Sequence, residues 1–295
     1  MGTKINYVDK TWNPVCGCTK CSPGCDNCYA EKMAYRLSAM GIPYYDMVQD
    51  EGSWNGNIEL VKEALDKPLH WREPRRILVP SMGDLFHEKV PFQFLYEILR
   101  RINSCPQHSF FLLTKRPKRM LSFSKVLGPG GYHSAPPMKW PDNAHLGGTI
   151  CNQEEADEKI PILLQIPAAH RWLSIEPMLG EIDLDRVIDV QGGRYLNYLR
   201  GDWYDVIGKD DNGQAMFSDR PSGTFGHGRG IDWVVVGCEK IGQKPGRECK
   251  PEWIKSIVDQ CKAAGVKCFV KQMEVGGKVV HDLAKMPVWA VQQEI

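Results

Sequence analysis

The sequence predicts a mixed α/β fold, a complete or partial (β/α) barrel of the TIM type, and three observations carry that expectation. Short apolar, β-branched runs recur along the chain without the in-out alternation of half-exposed strands. Most of these runs lead through a polar turn into an amphipathic stretch, the order that produces parallel strands covered by helices. The length of 295 residues suits one such domain spanning 1–295.

Taken in order, Trp12 to Val15 forms or borders the first strand. Arg76 to Ser81 (RILVPS) precedes a helix at Pro91 to Ile102, and Phe110 to Thr114 (FFLLT) precedes one at Pro117 to Val126. His145 to Ile150 (HLGGTI) leads to Glu154 to Gln165, and Trp172 to Ile175 (WLSI) is the next strand. Trp233 to Gly237 (WVVVG) leads to Glu252 to Ala264, and Cys268 to Lys271 (CFVK) closes the series. Pro91, Pro117 and Pro251 stand at first-turn positions, and Gly265 stands as a helix stop. Residues 183 to 230, rich in glycine, aspartate and tyrosine, break the pattern and predict an insertion, either a lid or a tolerated surface loop.

Composition narrows the class. Hydrophobic residues make up 42% and charged residues 25%, which excludes disordered and fibrous chains. No apolar run reaches 18 residues and Met1 to Thr11 lacks a signal-peptide core, so a cytoplasmic protein without a membrane span is expected. Net charge is only +1, so a polyanion partner must be held by local patches.

Eleven cysteines without an export signal argue for free thiols over disulfides. Five of them fall within thirteen positions of residues 16 to 37, CGCTKCSPGCDNCYAEKMAYRL, just before an expected helix. Cys21, Cys25 and Cys28 give C-x3-C-x2-C, and Cys18, Cys25 and Cys28 give C-x6-C-x2-C. Three thiolates leave one iron of a [4Fe-4S] cluster open. A structural zinc ion would want four ligands, typically in two separated pairs, and there is no second C-x2-C.

In a β/α barrel the chemistry gathers at the C-terminal strand ends. Those ends carry Met82-Gly83-Asp84, Lys115-Arg116, Thr149 with Asn152, Glu176-Pro177, Cys238-Glu239 and Lys271-Gln272. Acid and base alternating in register suit a pocket for a zwitterionic ligand. The plainer alternatives are a helix N-cap for Asp84, an ion pair between Glu239 and Lys271, and a small core residue for Cys238.

The cysteine motif followed by Tyr29 and a helix resembles that of the radical S-adenosylmethionine (SAM) superfamily. Together with SMGDLF, LLTKRP, SIEPMLGEIDL and DWVVVGCE, it resembles a phage-associated family of uncharacterised radical-SAM-like proteins distantly similar to spore photoproduct lyase. In that family the loop generally reads C-x6-C-x2-C, so Cys16 and Cys21 are departures. Cys238 likewise stands where the family usually has a glycine.

The resemblance implies a barrel of the radical SAM kind, with a [4Fe-4S] cluster held by Cys25 and Cys28 and either Cys18 or Cys21. It implies SAM at the open iron, cleaved reductively to a 5′-deoxyadenosyl radical, and an electron donor such as flavodoxin or ferredoxin. Asp84, beside Gly83, would receive SAM's amino group, and Lys115 and Arg116 its carboxylate. Thr149 and Asn152 would hold the ribose, and Glu176 the ribose or the substrate. Glu239 and Lys271 would face the substrate, and Cys238 would return a hydrogen atom to it.

Two basic clusters, WREPRR (71–76) and KRPKR (115–119), interleave cations with tryptophan or proline. Arg75, Arg76, Arg116 and Lys118 are the expected phosphate contacts, which points to nucleobase modification or repair on a nucleic acid or nucleotide. The alternative is a metal-stapled loop that docks nucleic acid or protein without catalysis.

Overall fold

A chain that buries both faces of its strands must cover them with helices, and the computed structural model shows this in two units. It describes residues 3, 5–128, 137–185, 188–189, 194–209, 215–218, 220–224, 230–242 and 244–295. The units are Met1–Thr149 with Ala168–His170, and Ile150–Pro167 with Arg171–Ile295.

The first unit holds four parallel strands in the order β1 (Lys10–Thr11), β2 (Arg76–Val79), β3 (Ser109–Thr114) and β4 (Ala144–Thr149). Ile77, Val79, Phe110, Phe111 and Leu146 are wholly buried, each such side chain contributing about 1.5 to 3 kcal/mol by leaving water. Helix α1 (Tyr29–Ala39) follows the cysteine loop, α2 (Phe92–Asn103) follows β2, and α3 (Pro117–Lys125) follows β3. The buried stripe of α2 is Phe94, Leu95, Ile98, Leu99 and Ile102, the spacing of one helix face. Pro91 is the N-cap of α2, one position earlier than its expected first-turn place.

A separate cluster of Cys16, Ala34, Tyr45, Val48, Val61, Ala64 and Met82 seats α1 and the chain on either side of the thiol loop. Trp12 fixes this part by donating its indole N–H to the Ala64 carbonyl at 2.7 Å. The first strand is therefore Lys10–Thr11, with Trp12 just beyond its end.

The second unit begins with α4 (Gln153–Leu164). Within it Trp172 to Ile175 of β5 (His170–Ile175) runs parallel to β6 (Trp233–Gly237), and β6 parallel to β7 (Lys267–Val275). Helix α5 (Pro251–Ala264) joins β6 to β7 and ends on Gly265 at φ 71°, a left-handed stop that favours glycine. β7 runs past the expected Lys271 and turns back into the antiparallel strand β8 (Lys278–Val280).

The insertion forms a small antiparallel sheet. Its strands are Ile188–Asp189, Arg194–Leu196, Asp202–Lys209, Ala215–Phe217 and Gly223–Thr224. Leu196, Tyr198 and Leu199 are buried at its base. The rest of the insertion lies outside the described residues. Among those described, no helix is long and apolar enough to cross a membrane.

Candidate functional site

In the first unit the thiol loop and the turns after β2 and β3 come together. Glycine is required where they meet. Gly17 and Gly83 form a parallel bridge, and a Cβ on Gly83 would stand 2.8 Å from the Gly17 carbonyl oxygen and 3.0 Å from that of Val15. Gly83, expected beside the cofactor, is thus a point of close backbone contact with the cysteine loop.

Asp84 and Arg116 tie the three segments together. Asp84 Oδ1 accepts from the Phe86 amide at 2.9 Å and the Thr114 hydroxyl at 2.7 Å. Its Oδ2 accepts from the Lys115 amide and from Arg116 Nη1, both at 3.1 Å. Four donors fill the acceptor sites of a carboxylate, so this geometry leaves Asp84 no site for a ligand ammonium, nor is it a helix N-cap.

Arg116 is equally engaged. Its Nη2 donates to the Thr19 carbonyl at 2.9 Å and hydroxyl at 2.7 Å, its Nη1 lies 3.6 Å from Cys18 Sγ, and its Nε lies 3.3 Å from Glu88. Arg116 therefore clasps the cysteine loop. Thr19 also meets the buried His87 at 2.9 Å between Oγ1 and Nε2.

The thiols differ in environment. Cys16 belongs to the core and is pushed up to about 11 by burial, which makes it a packing residue. Cys18 is pushed up to about 12, by burial and then by the Asp84 charge. Cys21 and Cys25 share a hydrogen bond that holds Cys25 low, toward thiolate, and Cys21 high. Cys21 is exposed and Cys28 half-buried.

Burial lowers Lys115, but the charges of Cys25, Cys28, Asp84 and Cys18 outweigh it and leave the ammonium raised. Among the described residues its Nζ has no hydrogen-bond or ion-pair partner. Also among them, no three His, Cys, Asp or Glu side chains are gathered as a metal-binding group. The donor chemistry nevertheless fits an iron–sulfur cluster: four soft sulfurs in one loop, one already held toward thiolate, with two cations beside them.

The basic clusters do not share a face. WREPRR precedes β2 and KRPKR follows β3, and because these strands are parallel the two clusters stand at opposite strand ends. Arg76 pairs with Asp9 at 3.5 Å, Arg116 is buried, and Arg119 donates to the carbonyls of His87 and Val90 and stacks 4.5 Å over Phe92. Lys118 is exposed and Arg75 partly buried. A joint phosphate-reading role for Arg75, Arg76, Arg116 and Lys118 is corrected on this ground. Thr149 ends β4, buried.

In the second unit Asn152, expected at the ribose, is the N-cap of α4 and accepts from the Glu155 amide at 2.9 Å. Glu176 follows β5. On the neighbouring strands Gly237 pairs with Gln272, and a Cβ on Gly237 would stand 3.1 Å from Gln272 Cγ. Both Glu176 oxygens accept from Lys271 Nζ at 2.6 Å, and one accepts from Gln272 Nε2 at 3.1 Å.

Glu239 instead receives Arg247 Nε at 3.0 Å and Nη2 at 2.5 Å. The expected Glu239–Lys271 pair is replaced by two ion pairs, Glu239–Arg247 and Glu176–Lys271. Arg247 lies in a loop with no strand-end signal, and sequence reasoning missed it. Cys238 is buried, and its thiol is pushed up to about 12 by burial and then by the Glu176 charge. Cys105, Cys151, Cys249, Cys261 and Cys268 are all buried, as small core residues are.

No curated protein and no solved structure matches the chain. A family model described as "Protein of unknown function (DUF5131)" matches residues 2–287. The chain belongs to the DUF5131 family.

Proposed function

We propose that this protein is an enzyme of the radical SAM kind, with a partial β/α barrel and a [4Fe-4S] cluster held by Cys25 and Cys28 and either Cys18 or Cys21. The observation that carries the reading is the thiol loop itself, clasped by Arg116 and within reach of the charge of Lys115. When bound, the cluster with SAM would supply one-electron cleavage of the sulfonium, with the electron coming from a donor such as flavodoxin or ferredoxin.

The chain's own residues do the positioning. Arg116 holds the loop through Thr19 and donates toward Cys18. Lys115 offers a cation to an incoming carboxylate, the part of the SAM assignment that this geometry supports best. Asp84 orients both turns through its four donors. Cys238 keeps its hydrogen on sulfur at neutral pH, as a hydrogen donor must. Glu176 and Lys271 form the polar pair assigned to the substrate side. The reading places modification or repair of a nucleobase first.

Anaerobic iron and sulfide analysis tests this. Cys25→Ser and Cys28→Ser are expected to lose most of the iron, and only one of Cys18→Ser and Cys21→Ser. SAM added to the reduced protein is expected to change its electron paramagnetic resonance spectrum and to yield 5′-deoxyadenosine. Full iron retention in Cys25→Ser would overturn the reading. Zinc bound in place of iron would favour the docking module.

A further inference from the structure

The thiol loop carries five cysteines, and a cluster with an open iron takes only three of them. Two stand at the ends of one five-residue stretch, Cys21-Ser22-Pro23-Gly24-Cys25. Pro23–Cys25 is a short helical turn that Ser22 caps. The Ser22 hydroxyl accepts from the Gly24 amide at 3.1 Å, and the Ser22 carbonyl accepts from the Cys25 amide at 2.9 Å. Pro23 opens the turn with its fixed φ. The chain is thereby folded back on itself, and the Cys21 thiol donates a hydrogen bond to the Cys25 sulfur. A disulfide holds its sulfurs at about 2.05 Å, so a pair already in hydrogen-bond contact has a short approach left.

The two thiols differ in access. Cys21 is exposed to solvent, and Cys25 is buried. The Cys25 sulfur also accepts from the backbone amides of Cys21 and Ser22 and feels the charge of Lys115. Donors and a cation around a sulfur stabilise the negative charge it carries as a nucleophile or a leaving group.

The other cysteines of the loop are held differently. Cys16 is a core residue hydrogen-bonded to Tyr45. Cys18 is near enough to feel the charge of Cys25, but its sulfur donates to the Thr19 carbonyl at 3.4 Å and receives Arg116 Nη1 at 3.6 Å. Cys28 is the N-cap of α1, where its amide donates to the Cys25 carbonyl at 3.3 Å.

We infer that Cys21 and Cys25 are an oxidative modification site, joined as a reversible disulfide when hydrogen peroxide reaches the loop. In this step the S–S bond forms, the O–O bond of the peroxide breaks, and the two thiol protons leave in two molecules of water. The sulfurs lose two electrons and the peroxide oxygens gain them. A disulfide that closes so short a ring gains little from chain entropy, and one open to solvent is among the readily reduced kind, so a dithiol reverses it. The bond itself does not depend on what the loop ligates. Its consequence rests on the cluster reading, because a disulfide withdraws Cys25 from the ligand set and an oxidised loop then accepts no iron.

The test uses the full chain, freed of metal with a chelator and reduced without air, its circular dichroism spectrum matching that of the untreated protein. An equimolar amount of hydrogen peroxide is added, the chain is unfolded, and free thiols are capped with N-ethylmaleimide. Trypsin, cutting after Lys20 and Lys32, releases residues 21–32 with Cys21, Cys25 and Cys28. That peptide is expected to be two hydrogens lighter than its thiol form and to carry a single cap, on Cys28. After dithiothreitol all three cysteines are expected to take a cap. Cys18→Ser and Cys28→Ser are expected to keep the bond, and Cys21→Ser to lose it. Iron uptake is measured on the same samples of the natural chain, and its loss on oxidation with recovery in dithiothreitol supports the inference and its consequence. A chain that forms the bond but takes up no iron in either form supports the disulfide and removes the cluster reading. A peptide capped at all three cysteines after peroxide, or Cys25 joined to Cys18 or Cys28 in place of Cys21, would overturn the inference.

Discussion

Replacing Asp84 by alanine removes the acceptor that joins the turn after β2 to the turn after β3. Asp84 and Arg116 are buried, at 5% and 7% exposure, so truncation strands a guanidinium in a dry place. Breaking one side of a buried ion pair costs about 3 to 5 kcal/mol. Arg116 retains Thr19 and Glu88, which sets the loss near the lower end, about 3 to 4 kcal/mol by the same principle. The amides of Phe86 and Lys115 and the Thr114 hydroxyl lose their acceptor as well, but such losses within one network do not add. For a chain of this size the expectation is a melting point lower by about 6 to 16 °C. Urea unfolding gives the free energy, and amide hydrogen exchange at Phe86 and Lys115 reports the local loss directly. Asp84→Ala within about 0.5 kcal/mol of the natural protein, with both amides still protected, would refute the hub assigned to this carboxylate.

Acid sensitivity should trace partly to His145, stacked between Phe111 at 4.7 Å and His170 at 4.6 Å and lowered to about 4 by burial and by His170. The unfolded ring binds its proton near pH 6.5, so stability is full above that value and falls as pH drops toward 4, by about 3 kcal/mol; urea unfolding of His145→Phe against the natural chain across this window should show the difference, and parallel pH profiles would exclude it. Gly83→Ala should displace the thiol loop, since its Cβ would meet backbone oxygens; an unaltered melting point and unaltered iron uptake would contradict this. Glu176→Gln leaves Lys271 without its carboxylate and is expected to cost about 1 to 3 kcal/mol, read by chemical unfolding; a cost below about 0.5 kcal/mol would show the pair to be solvated.

The strands were legible because they are buried on both faces, and WVVVG or FFLLT admits few other readings. The helices followed from their first-turn prolines and from Gly265. What the chain order did not reveal was which strand-end groups face each other. Asp84 and Arg116 each look like a ligand contact when read alone. Yet the β2–β3 register pairs Val79 with Leu112, an offset that brings residue 84 level with the turn at 116. In the same way Glu176 and Lys271 lie 95 residues apart in the chain and meet only once their strands are folded into one unit. Arg247 could not be found from a strand end, because it returns to Glu239 from within a loop. The thiol motif was plain from spacing alone, while the membership of Cys16 in the core depended on Tyr45 and Val48, distant in sequence.

The grip of Arg116 on the cysteine loop also has a meaning in time. The guanidinium and Cys18 are 98 residues apart in the chain. During synthesis at roughly 5 to 20 residues per second, the loop leaves the ribosome about 5 to 20 seconds before its clasp exists. Through that interval the thiols have neither Arg116 nor Lys115 beside them, and an early oxidant would find them unguarded. The nascent loop therefore depends on the reducing power of its surroundings until β3 and the turn behind it have been made.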